Sequence, residues 1–197
     1  MSHRSPSHLY GYMGSENKFL VVVDMQVDFV NGSLGSAEAE AIVPAAVRRI
    51  CNFDGKIYAT MDTHRRDYLE TQEGSALPVP HCVKYTPGWA LDERVAAALY
   101  SKGFRAIEKS TFGSEVLLKF LDDDIDPHGR CTDNYEPAEI TVIGLCTDIC
   151  VVSNALLLKS HFPEARIFVD SKCCAGVTPQ KHEAALEVMR SCQIRIL

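Results

Sequence analysis

Cys150 lies where a short apolar run, residues 139–145 (EITVIGL), passes through a tight bend into a helix that is apolar nearly all round. A thiol in the first turn of such a helix meets unpaired N–H groups and the positive end of the helix dipole, which favour the nucleophilic thiolate. The same N–H groups can hold the oxyanion formed when sulfur attacks a carbonyl. A thiol nucleophile also needs a group to take its proton and later return it. Asp24, at the end of the first apolar run (18–24, KFLVVVD), can do that work, and Lys109, at the end of a third run, can orient the acid and stabilise negative charge. Cys146 is the competing nucleophile, although its place in the bend suits it better to supply a backbone N–H.

A second constellation follows the run at 56–62 (KIYATMD). Asp62 and His64 are separated by one residue, and His81 lies seventeen residues beyond His64 in the same stretch. One carboxylate and two imidazoles suit a divalent metal, Zn²⁺ foremost with Fe²⁺ or Mn²⁺ as alternatives, and water completes the shell. Glu70 is the candidate fourth ligand. Cys82 is set aside because adjacent residues rarely both face one ion. Phe29, on the loop that leaves Asp24, is a candidate pocket wall.

These residues need a scaffold that brings separate strand ends together. Short apolar runs at 18–24, 56–62, 104–108, 139–145, 165–170 and 193–197 alternate with helical patterns at 41–50, 91–102, 113–121, 150–160 and 179–190. Continuous apolar runs mark strands buried on both faces, and strand–helix alternation marks a mostly parallel sheet. The expected fold is therefore a three-layer α/β/α sandwich. In such sheets ligands bind beyond the carboxyl ends of the strands, where all the named groups fall. Residues 1–17 read as a flexible N-terminal arm and 18–197 as one domain. The stretch 63–89 has no period and carries the ligand candidates, whereas the acidic 122–137 reads as a surface excursion. His128, His161 and His182 read as surface histidines, and Asp148 as a partner of its own helix N-terminus.

Composition narrows the classes. Hydrophobic residues make up 46% and charged residues 23% of 197 residues, an ordinary globular mixture. A net charge of −6 with no basic stripe argues against nucleic acid and anionic membranes. No apolar run approaches the roughly 18 residues of a membrane span. Eight cysteines, several inside strand-like runs, read as reduced thiols in a cytoplasmic protein, because a chain this long needs no disulfides to fold.

Five segments in order resemble the isochorismatase-like cysteine hydrolases, and among them the nicotinamidases: 21–29 (VVVDMQVDF), 62–64 (DTH), 80–83 (PHCV) with 86–88 (TPG), 108–112 (EKSTF) and 144–151 (GLCTDICV). The resemblance implies a Cys150–Asp24–Lys109 triad, a cis peptide before Cys146, and an oxyanion hole made by the backbone N–H groups of Cys146 and Cys150. It implies that Asp62, His64 and His81 hold a metal that binds a pyridine nitrogen and sets the amide against Cys150. Where the family carries an aromatic pocket wall, this sequence departs with Pro78, which leaves Leu77 beside it as the candidate wall. The expected activity is hydrolysis of nicotinamide, or a similar small heteroaromatic amide, to the acid and ammonia. Alternatives are a metal-independent cysteine hydrolase of a ureido, carbamoyl or other small amide, and a silent small-molecule-binding module. By the same resemblance the chain forms a homo-oligomer, a dimer or tetramer.

Overall fold

The computed structural model describes residues 17–125 and 137–197. Most of the N-terminal arm and the centre of the acidic excursion, including His128, lie outside the described residues. In chain order the elements are β1 (Lys18–Val23), α1 (Val27–Val30), α2 (Ala37–Cys51), β2 (Lys56–Asp62), α3 (Gln72–Ala76), α4 (Glu93–Lys102), β3 (Arg105–Lys109), α5 (Glu115–Ile125), β4 (Glu139–Leu145), α6 (Val152–His161), β5 (Arg166–Ala175), α7 (Pro179–Ser191) and β6 (Arg195–Ile196). The six strands form one sheet in the order β3-β2-β1-β4-β5-β6, and every pairing is parallel.

Side-chain alternation along the central strands builds two cores. Phe19, Val21 and Val23 of β1 pack with α5, α6 and α7 through Leu117, Leu121, Ala155, Leu158 and Leu186. Leu20 and Val22 point the other way, toward Ala39, Val43 and Ile50 of α2 and Val95 and Leu99 of α4. A strand apolar on both faces is stable only between two helical layers, so β1 dictates the sandwich. Each such side chain, once fully buried, contributes roughly 1.5–3 kcal/mol.

This strand order reverses its winding between β1 and β4, and the crevice beyond their carboxyl ends is where α/β sheets bind ligands. Gly144 permits the close approach there. Its φ is +121°, and a Cβ would lie 2.1 Å from the Val23 carbonyl oxygen, beside Asp24.

Several boundaries differ from the sequence reading for local reasons. Helix α2 begins at Ala37 because the Ser36 hydroxyl accepts the Ala39 N–H; its first turn is too polar to show in the apolar period. Strand β5 continues past residue 170 through Cys173 and Cys174, where the β4–β5 register shifts between Val142 and Gly144. Cys150 does not open a regular helix. Residues Thr147–Val151 form a wide turn in which Val151 N–H reaches back five residues to the Cys146 carbonyl, and α6 follows it. The 63–89 stretch is built of single turns at Tyr68–Glu70 and Pro87–Trp89 and the short α3, capped by Thr71. Among the described residues no helix is long and apolar enough to cross a membrane.

Candidate active site

Parallel pairing places three charged groups side by side at one sheet edge. Asp24 follows β1 directly, Asp62 ends β2, and Lys109 ends β3 in register with Asp62. Lys109 Nζ lies 2.7 Å from Asp24 Oδ2, 3.6 Å from Asp62 Oδ1 and 3.5 Å from Cys150 Sγ. The Thr60 hydroxyl donates to Asp24 Oδ1 at 2.7 Å. Asp24 is fully buried, with a φ of +49° that turns the chain out of the strand. The three sequence-predicted residues Asp24, Lys109 and Cys150 are thus brought together.

Their electrostatics revise one expectation. Burial pushes the Cys150 thiol well above its ordinary range, the neighbouring Asp24 adds to this, and Lys109 offsets only part. Burial therefore works against the thiolate that the position in the chain favours. Burial also raises the Asp24 carboxyl, against the pull of Lys109, which makes its anion a stronger base than an exposed carboxylate. Burial alone would lower Lys109, but the Asp24 and Asp62 carboxylates hold its ammonium charged.

Cys146 precedes the wide turn, and the Leu145–Cys146 peptide is cis. Burial, with Asp148 and Asp24 adding to it, raises its thiol to about 12. Its carbonyl accepts from Ile149 and Val151, which fixes the backbone linking Cys146 to Cys150.

Asp62, His64 and His81 converge as well, with one ligand atom from each lying within 4.8 Å of the others, all three residues buried. Asp62 Oδ2 is 2.9 Å from His64 Nε2 and 3.5 Å from His81 Nε2. His64 Nε2 is buried yet not aligned for a hydrogen bond, despite its proximity to Asp62. An orphaned imidazole nitrogen facing a carboxylate is the arrangement a cation completes. The His81 Nδ1–H donates to the Val79 carbonyl at 2.8 Å, which turns Nε2 toward the cluster. Burial works against ionisation of Asp62, but the two imidazoles and the Lys109 ammonium beside it outweigh burial and hold the carboxyl well below its usual range. The residues present therefore fit a divalent metal with N and O preference.

Glu70 is not part of this cluster. It is exposed on the Tyr68–Glu70 turn, whose tight winding sends Tyr68 inward instead. The Tyr68 ring packs on His64 and His81 with centroids 4.6 and 5.0 Å away. The acid that reaches the site is Glu73, whose Oε1 lies 3.8 Å from His64 Nε2 and 3.9 Å from His81 Nε2. The Thr71 cap, which fixes Glu73 in the first turn of α3, was the signal in the sequence. Cys82 is fully buried in the core and turned away from ligation, as expected, while its N–H donates to Asp28 Oδ2.

A cavity of about 510 Å³ joins the two constellations, lined among others by Phe29, Asp62, Leu77, His81, Phe112 and Cys150. That volume suits a small ligand. Phe29 and Leu77 both line it as expected; the Phe29 ring lies 5.4 Å from that of His81. Phe112, half exposed at the mouth, is a wall the sequence reading missed although it ends the 108–112 segment. Two further corrections concern the turn. Asp148 accepts the Val177 N–H at 2.9 Å rather than an N–H of its own helix, and His182 is not a free surface residue but is hydrogen-bonded to Thr147. His161 is exposed and paired with Asp122, as read. All seven described cysteines are free thiols.

An acid, an amine and a thiol at the switch point of a parallel sheet, beside a metal-ligand set, define a site for covalent chemistry at a carbonyl. The isochorismatase domain model matches residues 18–197, and the chain belongs to that family. No curated protein sequence matches closely enough to count as a relative. Among solved structures the chain is similar to the pyrazinamidase of Pyrococcus horikoshii in complex with zinc, at 27% identity and a TM-score of 0.70 over 92% of this chain and 98% of that one. The nicotinamidase/pyrazinamidase of Bacillus subtilis matches at 25% identity and a TM-score of 0.71, covering 91% and 98%. The pyrazinamidase/nicotinamidase of Streptococcus mutans shares the fold at 21% identity and a TM-score of 0.74, covering 91% and 99%.

Proposed function

We propose that this protein is a metal-assisted cysteine amidohydrolase that converts nicotinamide, or a similarly small heteroaromatic amide, to the acid and ammonia. One observation carries the reading: Cys150 and the ligand residues Asp62 and His81 line the same cavity of about 510 Å³. A nucleophile alone would serve any small amide, whereas a nucleophile beside a metal-ligand set suits an amide with a coordinating ring atom.

As sulfur attacks the amide carbonyl, the Cys150 thiol proton passes to Asp24. Backbone N–H groups of Cys146 and Cys150 hold the resulting oxyanion. On collapse the C–N bond breaks, and the proton on Asp24 goes to the leaving nitrogen, releasing ammonia and leaving a Cys150 thioester. Asp24 then takes a proton from water, whose oxygen attacks the thioester. The acid departs and the thiol regains its proton. Lys109 keeps the Asp24 anion in place at 2.7 Å throughout. Asp62, His64 and His81, with Glu73 at the rim, would hold a divalent metal, Zn²⁺ foremost, whose Lewis acidity offers a seat for a ring nitrogen. Phe29, Phe112 and Leu77 exclude water from the ring faces.

The same reading treats 18–197 as the catalytic domain and 1–17 as an arm outside it. The free thiols support a reducing, cytoplasmic setting, and likeness to the family supports a homo-oligomer, which sedimentation tests.

The test is an ammonia assay on nicotinamide, pyrazinamide and aliphatic amides, with bound metal measured alongside. Nicotinamide turnover that is lost in Cys150→Ala and falls steeply in His64→Ala is the expected result. Turnover surviving in Cys150→Ala overturns the nucleophile. Full nicotinamide turnover in metal-stripped protein, or ammonia from aliphatic amides alone, overturns the metal-seated substrate.

A further inference from the structure

The wide turn from Cys146 to Val151 is anchored from outside as well as within. Thr147, fully buried, is hydrogen-bonded through its hydroxyl to His182 Nδ1 at 2.8 Å. One residue on, Asp148 Oδ1 accepts the Val177 N–H at 2.9 Å. Val177 lies between β5 and α7, and His182 lies near the start of α7. His182 is itself fixed, since its N–H donates to the Thr178 carbonyl and the Thr178 hydroxyl caps α7 by accepting the Lys181 N–H. Gly176 leaves room for this docking: a Cβ there would lie 2.8 Å from Asp148 Oδ1 and 2.9 Å from the His182 nitrogen. Gly176, Val177 and Lys181 also line the cavity that holds Cys150. One short segment therefore both walls the cavity and grips the turn.

We infer that His182, acting through Thr147, is a positioning residue that holds the Cys146–Cys150 turn at the spacing its two N–H groups need to receive the oxyanion. This rests on the hydrolytic reading above. Cys146 is held against its own turn through its carbonyl. The bond from the adjacent Thr147 to α7, together with the Asp148–Val177 bond, ties that turn to a separate part of the molecule. Donors must be preorganised because N–H groups that shift on attack lose most of their effect. The alternative, that His182 only adds stability to α7, makes a different prediction.

The experiment compares wild type with His182→Ala, His182→Asn, Thr147→Val, Thr147→Ser and the Ala/Val double variant, each metal-loaded. The kcat and KM for ammonia release from nicotinamide are measured, together with the rate of Cys150 alkylation by iodoacetamide, followed on the Cys150 peptide by mass. Alkylation is displacement at a CH₂ carbon and forms no oxyanion. His182→Ala and Thr147→Val should each lower kcat on the order of ten- to a hundredfold, with KM and the alkylation rate unchanged. The double variant should be no slower than the slower single variant. Asn places an amide near the position of Nδ1, and Ser keeps the hydroxyl, so both should restore most of kcat and stand in if an Ala or Val variant fails to fold. Wild-type kcat in His182→Ala, additive losses in the double variant, or alkylation slowing in step with kcat overturns the inference. A wild type that turns over no amide overturns the proposed function and takes this inference with it. An active wild type with unaffected variants overturns the inference alone.

Discussion

The site has two halves that are built differently. Asp24, Asp62 and Lys109 stand at the ends of adjacent strands, and their spacing is that of the hydrogen-bonded ladder: Val23 is in register with Thr60, and Asp62 with Lys109. His64, Glu73, Leu77 and His81 stand on an aperiodic loop whose shape comes from individual side chains. Gln26 binds both ends of that loop, donating to the Asp62 and Trp89 carbonyls and accepting the Asp62 N–H. Asp28 accepts the Cys82 N–H beside His81, and Tyr68 donates to the Leu77 carbonyl. A ladder fixes position through many equivalent bonds, whereas the loop does so through a few bonds that have no substitute. On the proposed function, bond-breaking falls to the half set by the ladder and substrate choice to the half set by the loop.

Substitutions test that division, from the largest effect to the smallest. Asp24→Asn, in the strand-end half, and Cys150→Ala, in the turn that faces it, should lower kcat/KM on the order of 10⁴-fold for every amide alike, with the circular dichroism spectrum unchanged. A loss that depends on the substrate would break the division. In the loop half, His64→Ala or removal of metal by a chelator should cost on the order of a hundredfold on nicotinamide, mostly in KM, and little on amides without a ring nitrogen. Equal losses on both kinds of amide would show that the loop takes part in bond-breaking itself.

Two stability measurements sharpen the same contrast. Gln26→Ala leaves buried partners at both ends of the loop unpaired, so denaturant unfolding should show about 2–3 kcal/mol lost, with the loop amides exchanging faster than those of β1. Asp92, at the loop's exit, caps α4 and pairs with Arg94. Burial pushes its carboxyl up, but the Arg94 guanidinium and the Arg94 and Val95 N–H groups bring it below its usual value. A depressed carboxyl contributes stability that is present above its unfolded pKa, about 4, and is lost as pH falls through the lower folded value. Asp92→Asn should flatten that acid dependence while removing about 1 kcal/mol or less near neutrality. An unchanged acid limb would assign it to other carboxylates.

The two halves also differ in what the sequence reveals. Apolar runs ending in Asp24, Asp62 and Lys109 announce both the strands and the groups at their tips, because the runs are periodic and the polar break is abrupt. The sandwich followed from the same runs. The candidate ligands Asp62, at a strand tip, and His64 and His81, in the loop, were legible as residue types, but Glu70 was read as the fourth and Glu73 was missed, because facing depends on a tight turn and a Thr71 cap that carry no period. Phe112 and His182 were missed for a related reason: each gains its place from a partner far along the chain. His182 meets Thr147 thirty-five residues away. For Cys150 the sequence showed the place at the start of a turn but not the burial that works against its thiolate, because position can be read locally whereas burial by several elements cannot.

Gln26 ties the first and last residues of the ligand loop to one fully buried amide, next to the base that follows β1. Such a closure makes the loop a replaceable cassette. Its interior can be shortened, extended or rewritten while both ends stay docked to the same glutamine and the catalytic edge stays where it is. The glutamine thus marks where that segment begins and ends.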